Sequence, residues 1–414
     1  MEGDLMNDMV PKKKSWLRII GRIIAILLIV IIGFAAWKSR ELYRFYKVVT
    51  LFDEGPIVEN FRTMSDIFPY HEIKRGGSVF EFIRAPQALP ESFSYNGKDY
   101  NFAQLMKDTW TTGLIVIKND RICFEEYYLG HNPDTLHISW SVGKSFVSAL
   151  IGIAIAEGKI AGIGVPVSDL VPRLKGTGYD GVPLKDVLQM SSGVRFNEDY
   201  ADFDSDINRM GRTIALGSSI NEFAASLKSE RKPGKYHHYV SMDTQILGMV
   251  LQEATGMTSS AYLEEKIWKK IGMQANARWL KDDYDMELVF GTLNVTLRDY
   301  ARFGRLYMRD GNWNGEQVVP AQWVKDSITP DAPHLKPGKN PLSSSRMGYG
   351  YQWWIPENPK GDFMALGVHG QHIYVNPAKK VVIVKSSADP FWKSDQEINY
   401  AVTAGFQNIA EKLK

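Results

Sequence analysis

The chain has 414 residues, of which 44% are hydrophobic and 12% aromatic, enough for a large buried core and unlike a disordered segment. Lys and Arg total 49 against 47 Asp and Glu, a formal net charge of +2, so nothing in the balance points to nucleic acid. The single cysteine, Cys123, excludes an intramolecular disulfide and an all-cysteine zinc cluster, and within Arg121–Tyr128 it reads as a small buried hydrophobe.

Residues 1–18 form a short basic tail, and residues 19–37 an apolar run interrupted only by Arg22. At about 1.5 Å per residue the run makes a helix roughly 28 Å long, close to the hydrocarbon thickness of a bilayer. Trp16 and Trp37 flank it at interfacial positions. The run is longer than a signal-peptide core, and Ala35-Ala36 is followed by Trp37 without a clear cleavage pattern, so a retained transmembrane helix is expected. Lys12, Lys13, Lys14, Arg18 and Arg22 lie on one side and Lys38, Arg40, Arg44 and Lys47 on the other. This slight bias favours a single pass through the inner membrane with the remainder on the periplasmic side.

Residues 38–95 read as a connector with little periodicity, carrying turn signals at Arg75-Gly76-Gly77 and Pro86. A hairpin follows, Gly113–Lys118 turning at Asn119-Asp120 into Arg121–Tyr128. Next comes a long apolar helix with Ser139 as N-cap and Gly158 as stop. From about 160 to 345 the pattern is mainly helical, including Val182–Met190, Asp243–Ala254 and Leu297–Met308. Strands return at Tyr349–Ile355 and at His372–Val375, which pairs with Lys380–Lys385 across Asn376-Pro377, and Gln396–Lys412 is a terminal helix. Residues 96–414 thus form one α+β domain, a sheet built from both chain ends around a helical insertion.

The sequence contains no Gly-x-Ser-x-Gly elbow, His-Glu-x-x-His pair or phosphate loop, so no cofactor and no metal are implied. His237 and His238 read as polar loop residues. Ser141-Val-Gly-Lys144 stands out by its context, because the two residues share a face in the first turn of the strongest helix outside the apolar run. Ser229–Lys232 has the same spacing but lies in a charged loop before Pro233. A serine hydroxyl needs a neighbour to remove its proton, and a lysine can do so only when burial lowers its pKa. The motif alone fits equally well an exposed turn with a surface Ser and Lys.

Three segments, in order, resemble the serine β-lactamase-like (penicillin-recognising) hydrolases, the group of class C β-lactamases, DD-peptidases, certain esterases and 6-aminohexanoate-dimer hydrolases. They are Ser141-Val-Gly-Lys144 within ISWSVGKSFVSAL, Tyr239-Val-Ser241 within PGKYHHYVSMDTQ, and Val368-His369-Gly370-Gln371 within FMALGVHGQHIYV. The supporting stretches VPLKDVLQMSSGV, TLRDYARFGRLYM and GYGYQWWI extend the likeness over roughly residues 60–410. The resemblance implies an antiparallel sheet flanked by helices, with Ser141 as nucleophile and Lys144 and Tyr239 as proton-transfer partners. It also implies an oxyanion hole from the backbone N–H groups of Ser141 and Gln371. Tyr200, Ser241, His369 and Gly370 would contact substrate.

Ser241 stands where class C β-lactamases carry Asn, and Val368-His369 where they carry Lys-Thr. Both departures suit the aminohexanoate-hydrolase and esterase branch, so the expected substrate is a small amide or ester. Two other readings stay open: a DD-peptidase or β-lactamase acting on cell-wall peptides or β-lactams, and a membrane-tethered binding or sensor protein on the same fold. The expected partners are that substrate and the lipid bilayer, through residues 19–37.

Overall fold

A computed structural model describes residues 13–394 and 396–414; residues 1–12 of the expected basic tail lie outside the described residues. Helix α1 (Lys13–Trp37) contains Trp16–Trp37, 22 residues long and apolar enough to cross a membrane, and none of that stretch is buried against protein. After Lys38 the chain enters α2 (Ser39–Val49), which is tied to the body by its buried Arg44, whose guanidinium donates to both carboxylate oxygens of Asp283 at 2.8 and 2.6 Å.

Residues 38–95 are not the loose connector that their pattern suggested. Beyond α2 they form helices Ile57–Arg62 and Met64–Ile67 and strands Tyr70–Ile73 and Ser92–Tyr95. Leu51, Ile57, Phe61, Met64 and Ile67 are buried in the main core. Helices of one turn or so are too short to display a 3.6-residue period, which is why the packing escapes a periodicity reading.

The main sheet has eight strands: β1 (Ile83–Arg84), β2 (Thr111–Lys118), β3 (Arg121–Tyr127), β4 (Gly348–Tyr349), β5 (Trp354–Ile355), β6 (Phe363–Gly367), β7 (Gln371–Asn376) and β8 (Val381–Ser387). Their spatial order is β4-β5-β6-β7-β8-β2-β3-β1, with β1 alone running parallel to its neighbour. The chain ends meet where β8 pairs antiparallel with β2, Ile383 opposite Val116. The β2–β3 hairpin turns where expected, with Asn119 and Asp120 both in the left-handed region (φ 52° and 61°), as a two-residue turn that follows the sheet twist requires. The expected single strand Tyr349–Ile355 is instead two short strands folded on each other, Tyr349 opposite Trp354, because Gln352 takes φ 62° and reverses the chain between them.

The helices that matter for the site are α3 (Gly143–Ala156), α4 (Asp206–Ala215), α5 (Ser241–Thr255), α6 (Leu297–Met308) and α7 (Gln396–Lys412). Val182–Met190 is helical only over Leu184–Leu188. Alternation along β2 sends Leu114 and Val116 to one face, with Cys123, Tyr374 and Phe406 of α7, and Ile115 and Ile117 to the other, with the helical core. Cys123 is buried, as its neighbours suggest. Gly152 lets α3 approach closely: a Cβ there would overlap the indole of Trp323. Helices α3 and α5, whose N-terminal ends carry the candidate residues, pack directly on each other.

Candidate active site

The start of α3 departs from the expected N-cap. Ser139 is already in a helical conformation and caps nothing; its hydroxyl donates to the Trp140 carbonyl at 2.8 Å. Trp140 takes φ 42°, and a single 3₁₀ turn, Trp140–Val142, feeds into α3. This turn leaves Ser141 half-buried at the wall of two adjoining cavities.

Lys144, one turn on, is fully enclosed. Its Nζ lies 3.2 Å from Ser141 Oγ and 3.3 Å from Ser241 Oγ, and also donates to the Phe290 carbonyl. Burial lowers its pKa to about 7, against the opposing pull of the Glu198 and Asp243 carboxyls. At neutral pH a large fraction of the amine is therefore unprotonated and able to accept a proton.

Tyr239 arrives from about a hundred residues downstream, just before α5. Its ring stacks on Trp354 (centroids 5.5 Å apart, planes 20° apart) and covers Lys144, whose Nζ is 5.4 Å from the ring centre. Tyr239 and Ser141 border the same cleft. Burial, with Glu198 nearby, holds the phenol's pKa well above 10 against the lowering effect of the Ser141 hydroxyl, so it is a hydroxyl and not a phenolate at neutral pH. The hydroxyl of Ser141, the amine of Lys144 and the ring of Tyr239 are thus grouped at one cleft.

Ser241, the first residue of α5, links this trio to a carboxylate absent from the sequence expectations. Its hydroxyl donates to Glu198 Oε1 at 2.5 Å, and its N–H to Glu198 Oε2 at 2.9 Å. Tyr200 donates to the same Oε1 at 3.1 Å, and its ring borders both cavities. Burial raises the Glu198 pKa, while Lys144 and the Ser241 donors pull it down. A second carboxyl, Asp243, is fully buried and accepts from Tyr179 (2.9 Å) and Ser192 (2.7 Å); burial pushes its pKa up to about 8.

The third segment contributes less directly. Val368–Gly370 form a tight turn between β6 and β7, and Gly367, Val368 and Gly370 border the cleft shared with Ser141 and Tyr239. Gly370 takes φ 87°, and a Cβ there would crowd Lys385 Nζ and Ser387. The conformation and the packing both demand glycine. His369 borders neither cavity. It takes φ 61°, stacks on Phe52 at 4.5 Å, and donates from Nδ1 to the Asp389 carbonyl at 2.7 Å. Burial lowers its pKa to about 4, so it is a neutral packing residue and not the substrate contact expected. The Gln371 side chain is also turned inward, accepting from the Ser387 N–H and lying 3.0 Å from His137 Nε2. His237 and His238 bond Ser343 (3.0 Å) and the Phe196 carbonyl (3.0 Å), outside the reacting cluster.

A serine hydroxyl, a buried amine and a phenol set between the main sheet and a helical layer form the arrangement of the penicillin-recognising serine hydrolases. The chain belongs to the beta-lactamase family, whose model matches residues 99–405, and it is a hydrolase of the serine β-lactamase class. It is 29% identical over 295 residues to the 6-aminohexanoate-dimer hydrolase of Paenarthrobacter ureafaciens, covering 69% of this chain and 75% of that protein. A Bacillus anthracis structure assigned as a 6-aminohexanoate-dimer hydrolase superposes with a TM-score of 0.78 at 25% identity, over 87% of this chain and 95% of that one. The octameric penicillin-binding protein homologue of Pyrococcus abyssi shares the fold, with a TM-score of 0.55 at 19% identity, over 75% and 77% of the two chains.

Proposed function

We propose that the protein is a membrane-tethered serine hydrolase that cleaves a small amide or ester through an acyl-enzyme on Ser141. One observation carries the reading: Ser141 Oγ lies 3.2 Å from an enclosed lysine whose pKa is lowered to about 7. Lys144 takes the Ser141 proton as Oγ attacks the carbonyl carbon, and the phenol of Tyr239 passes a proton to the departing amine or alcohol. Water then cleaves the acyl-enzyme by the reverse relay. The backbone N–H groups of Ser141 and Gln371 hold the developing oxyanion; Ser141 stands at a helix start, where N–H groups lack intrahelical acceptors. Tyr200, Ser241 and Gly370 shape the substrate side.

The tether is α1, with the hydrolase on the periplasmic side. Lys12, Lys13, Lys14, Arg18 and Arg22 precede the apolar core and Lys38, Arg40, Arg44 and Lys47 follow it, a slight excess that supports a cytoplasmic N-terminus. Alkaline phosphatase fused to the C-terminus should be active, and an inactive fusion reverses the topology. For the chemistry, a fluorophosphonate should label Ser141 in the folded protein, read by mass spectrometry of the peptides. Ser141→Ala should abolish turnover across an ester and amide panel; hydrolysis unchanged by that substitution ends the proposal.

A further inference from the structure

The second cavity at Ser141 is mainly apolar, about 280 Å³, and Lys144 is not among its lining residues. Its inner end is formed by Ser141, Ser241 and the buried Leu288, and its walls by Phe52, Ile207, Met210 and Ile214. The exposed residues on its border are Val49 (49% exposed), Ala201 and Phe203 (62% exposed), which mark the mouth. Val49 is the last residue of α2, and α2 begins two residues after the apolar helix ends. Ser39 and Val49 are ten residues apart, about 15 Å of helix, so the mouth opens close to where α1 leaves the bilayer. Leu42, Tyr46 and Val49, at i, i+4 and i+7, form one exposed apolar stripe on α2, and Phe203 extends it across the mouth with the Arg212 guanidinium 3.7 Å above its ring. An apolar stripe with tyrosine and arginine, adjoining a membrane helix, is the composition of a surface that sits in the headgroup layer.

We propose that this cavity receives the aliphatic acyl chain of a lipid ester or amide drawn from the bilayer that α1 spans. The proposal rests on the acyl-enzyme reading above and names its substrate class. Chain entry from the mouth brings the scissile carbonyl to Ser141. Oγ bonds to the carbonyl carbon and its proton goes to Lys144. The bond to the head-group oxygen or nitrogen breaks and that atom takes a proton, and water then releases the fatty acid and restores Ser141. The polar head group leaves through the cleft bordered by Tyr239, Trp354 and Gly370.

The test uses the full chain reconstituted in phosphatidylcholine vesicles, with p-nitrophenyl acetate and octanoate as probes. The expected octanoate-to-acetate ratio of kcat/KM exceeds tenfold. Gly211 faces Val48 across the space between α4 and α2, its Cβ position 3.8 Å from Val48 Cγ1, so Gly211→Leu fills the cavity from the side. Ala201→Trp blocks the exposed mouth, where a fold defect is not expected. Each should lower the ratio at least tenfold. A fluorogenic acyl lipid should be cleaved when it shares the protein's vesicle and not when it is held in separate vesicles. A wild-type ratio near one, a ratio unchanged in Ala201→Trp, or equal cleavage from separate vesicles overturns the inference. If acetate is hydrolysed by wild type and not by Ser141→Ala while octanoate is no better, only the acyl-chain inference falls; acetate turnover by Ser141→Ala removes the underlying reading instead.

Discussion

Replacing Glu198 by glutamine tests how the amine of Lys144 is tuned. Ser241 Oγ lies 3.3 Å from Lys144 Nζ and 2.5 Å from Glu198 Oε1, so the charges are no more than 5.8 Å apart, the sum of those two hydrogen bonds. At an effective dielectric constant of about 20, opposite charges at that separation attract by ~3 kcal/mol. At 1.36 kcal/mol per unit this corresponds to about two pH units. The carboxylate favours the ammonium form, so its removal lowers a Lys144 pKa that burial has already brought to about 7. Glutamine keeps the shape and an acceptor for Ser241. The acid limb of kcat/KM for p-nitrophenyl acetate, followed between about pH 5 and pH 9, should move down by one to two units in Glu198→Gln, and the plateau should fall because a weaker base remains. The two groups titrate as a pair, so the limb belongs to both. An acid limb that stays in place, or moves up, refutes the assignment of Lys144 as the base.

Three further substitutions probe the scaffold. The Asp243 pKa is raised from 3.8 to about 8, so its stabilising neutral form is fully present below the unfolded value and lost as pH rises through about 8. Asp243→Asn should therefore gain stability relative to wild type by about 1 kcal/mol per pH unit across that window in urea denaturation, and parallel curves would contradict it. Gly152→Val drives a side chain into the Trp323 indole and should cost about 1–3 kcal/mol by the same measurement. Arg44→Met leaves Asp283 unpaired beside α2; because that carboxylate is about one-third exposed, the loss should be nearer 1–2 kcal/mol than the value for a fully buried pair, with faster proteolysis within α2.

The grouping of Ser141, Lys144 and Tyr239 was legible because two of them share a helical turn and the third sits in a recognisable segment. Helix ends were legible too: Gly158 and Gly256 take φ 72° and 69° where the chain must leave α3 and α5. Glu198 was not, because it lies in the charged stretch NEDYADFDSD, which reads as a solvated loop until the fold brings it against Ser241. The Ser139 cap failed for a local reason, since Trp140 adopts a left-handed conformation that no propensity rule expects of tryptophan. His369 looked like a ligand contact in its motif, and only tertiary packing against Phe52 turns it inward.

The hydrogen-bond chain at Lys144 also decides where its lone pair points. A neutral amine has two hydrogens and one lone pair to distribute among three neighbours. The Phe290 carbonyl can only accept, so it takes one hydrogen. The Ser241 hydroxyl spends its own hydrogen on Glu198, so it must accept the other. What is left over faces Ser141. Ser141 and Lys144 are thereby aligned for the relay proposed above, and a change two hydrogen bonds away that removed the acceptor oxygens of Glu198 would let Ser241 turn its hydrogen toward the nitrogen and compete for that lone pair.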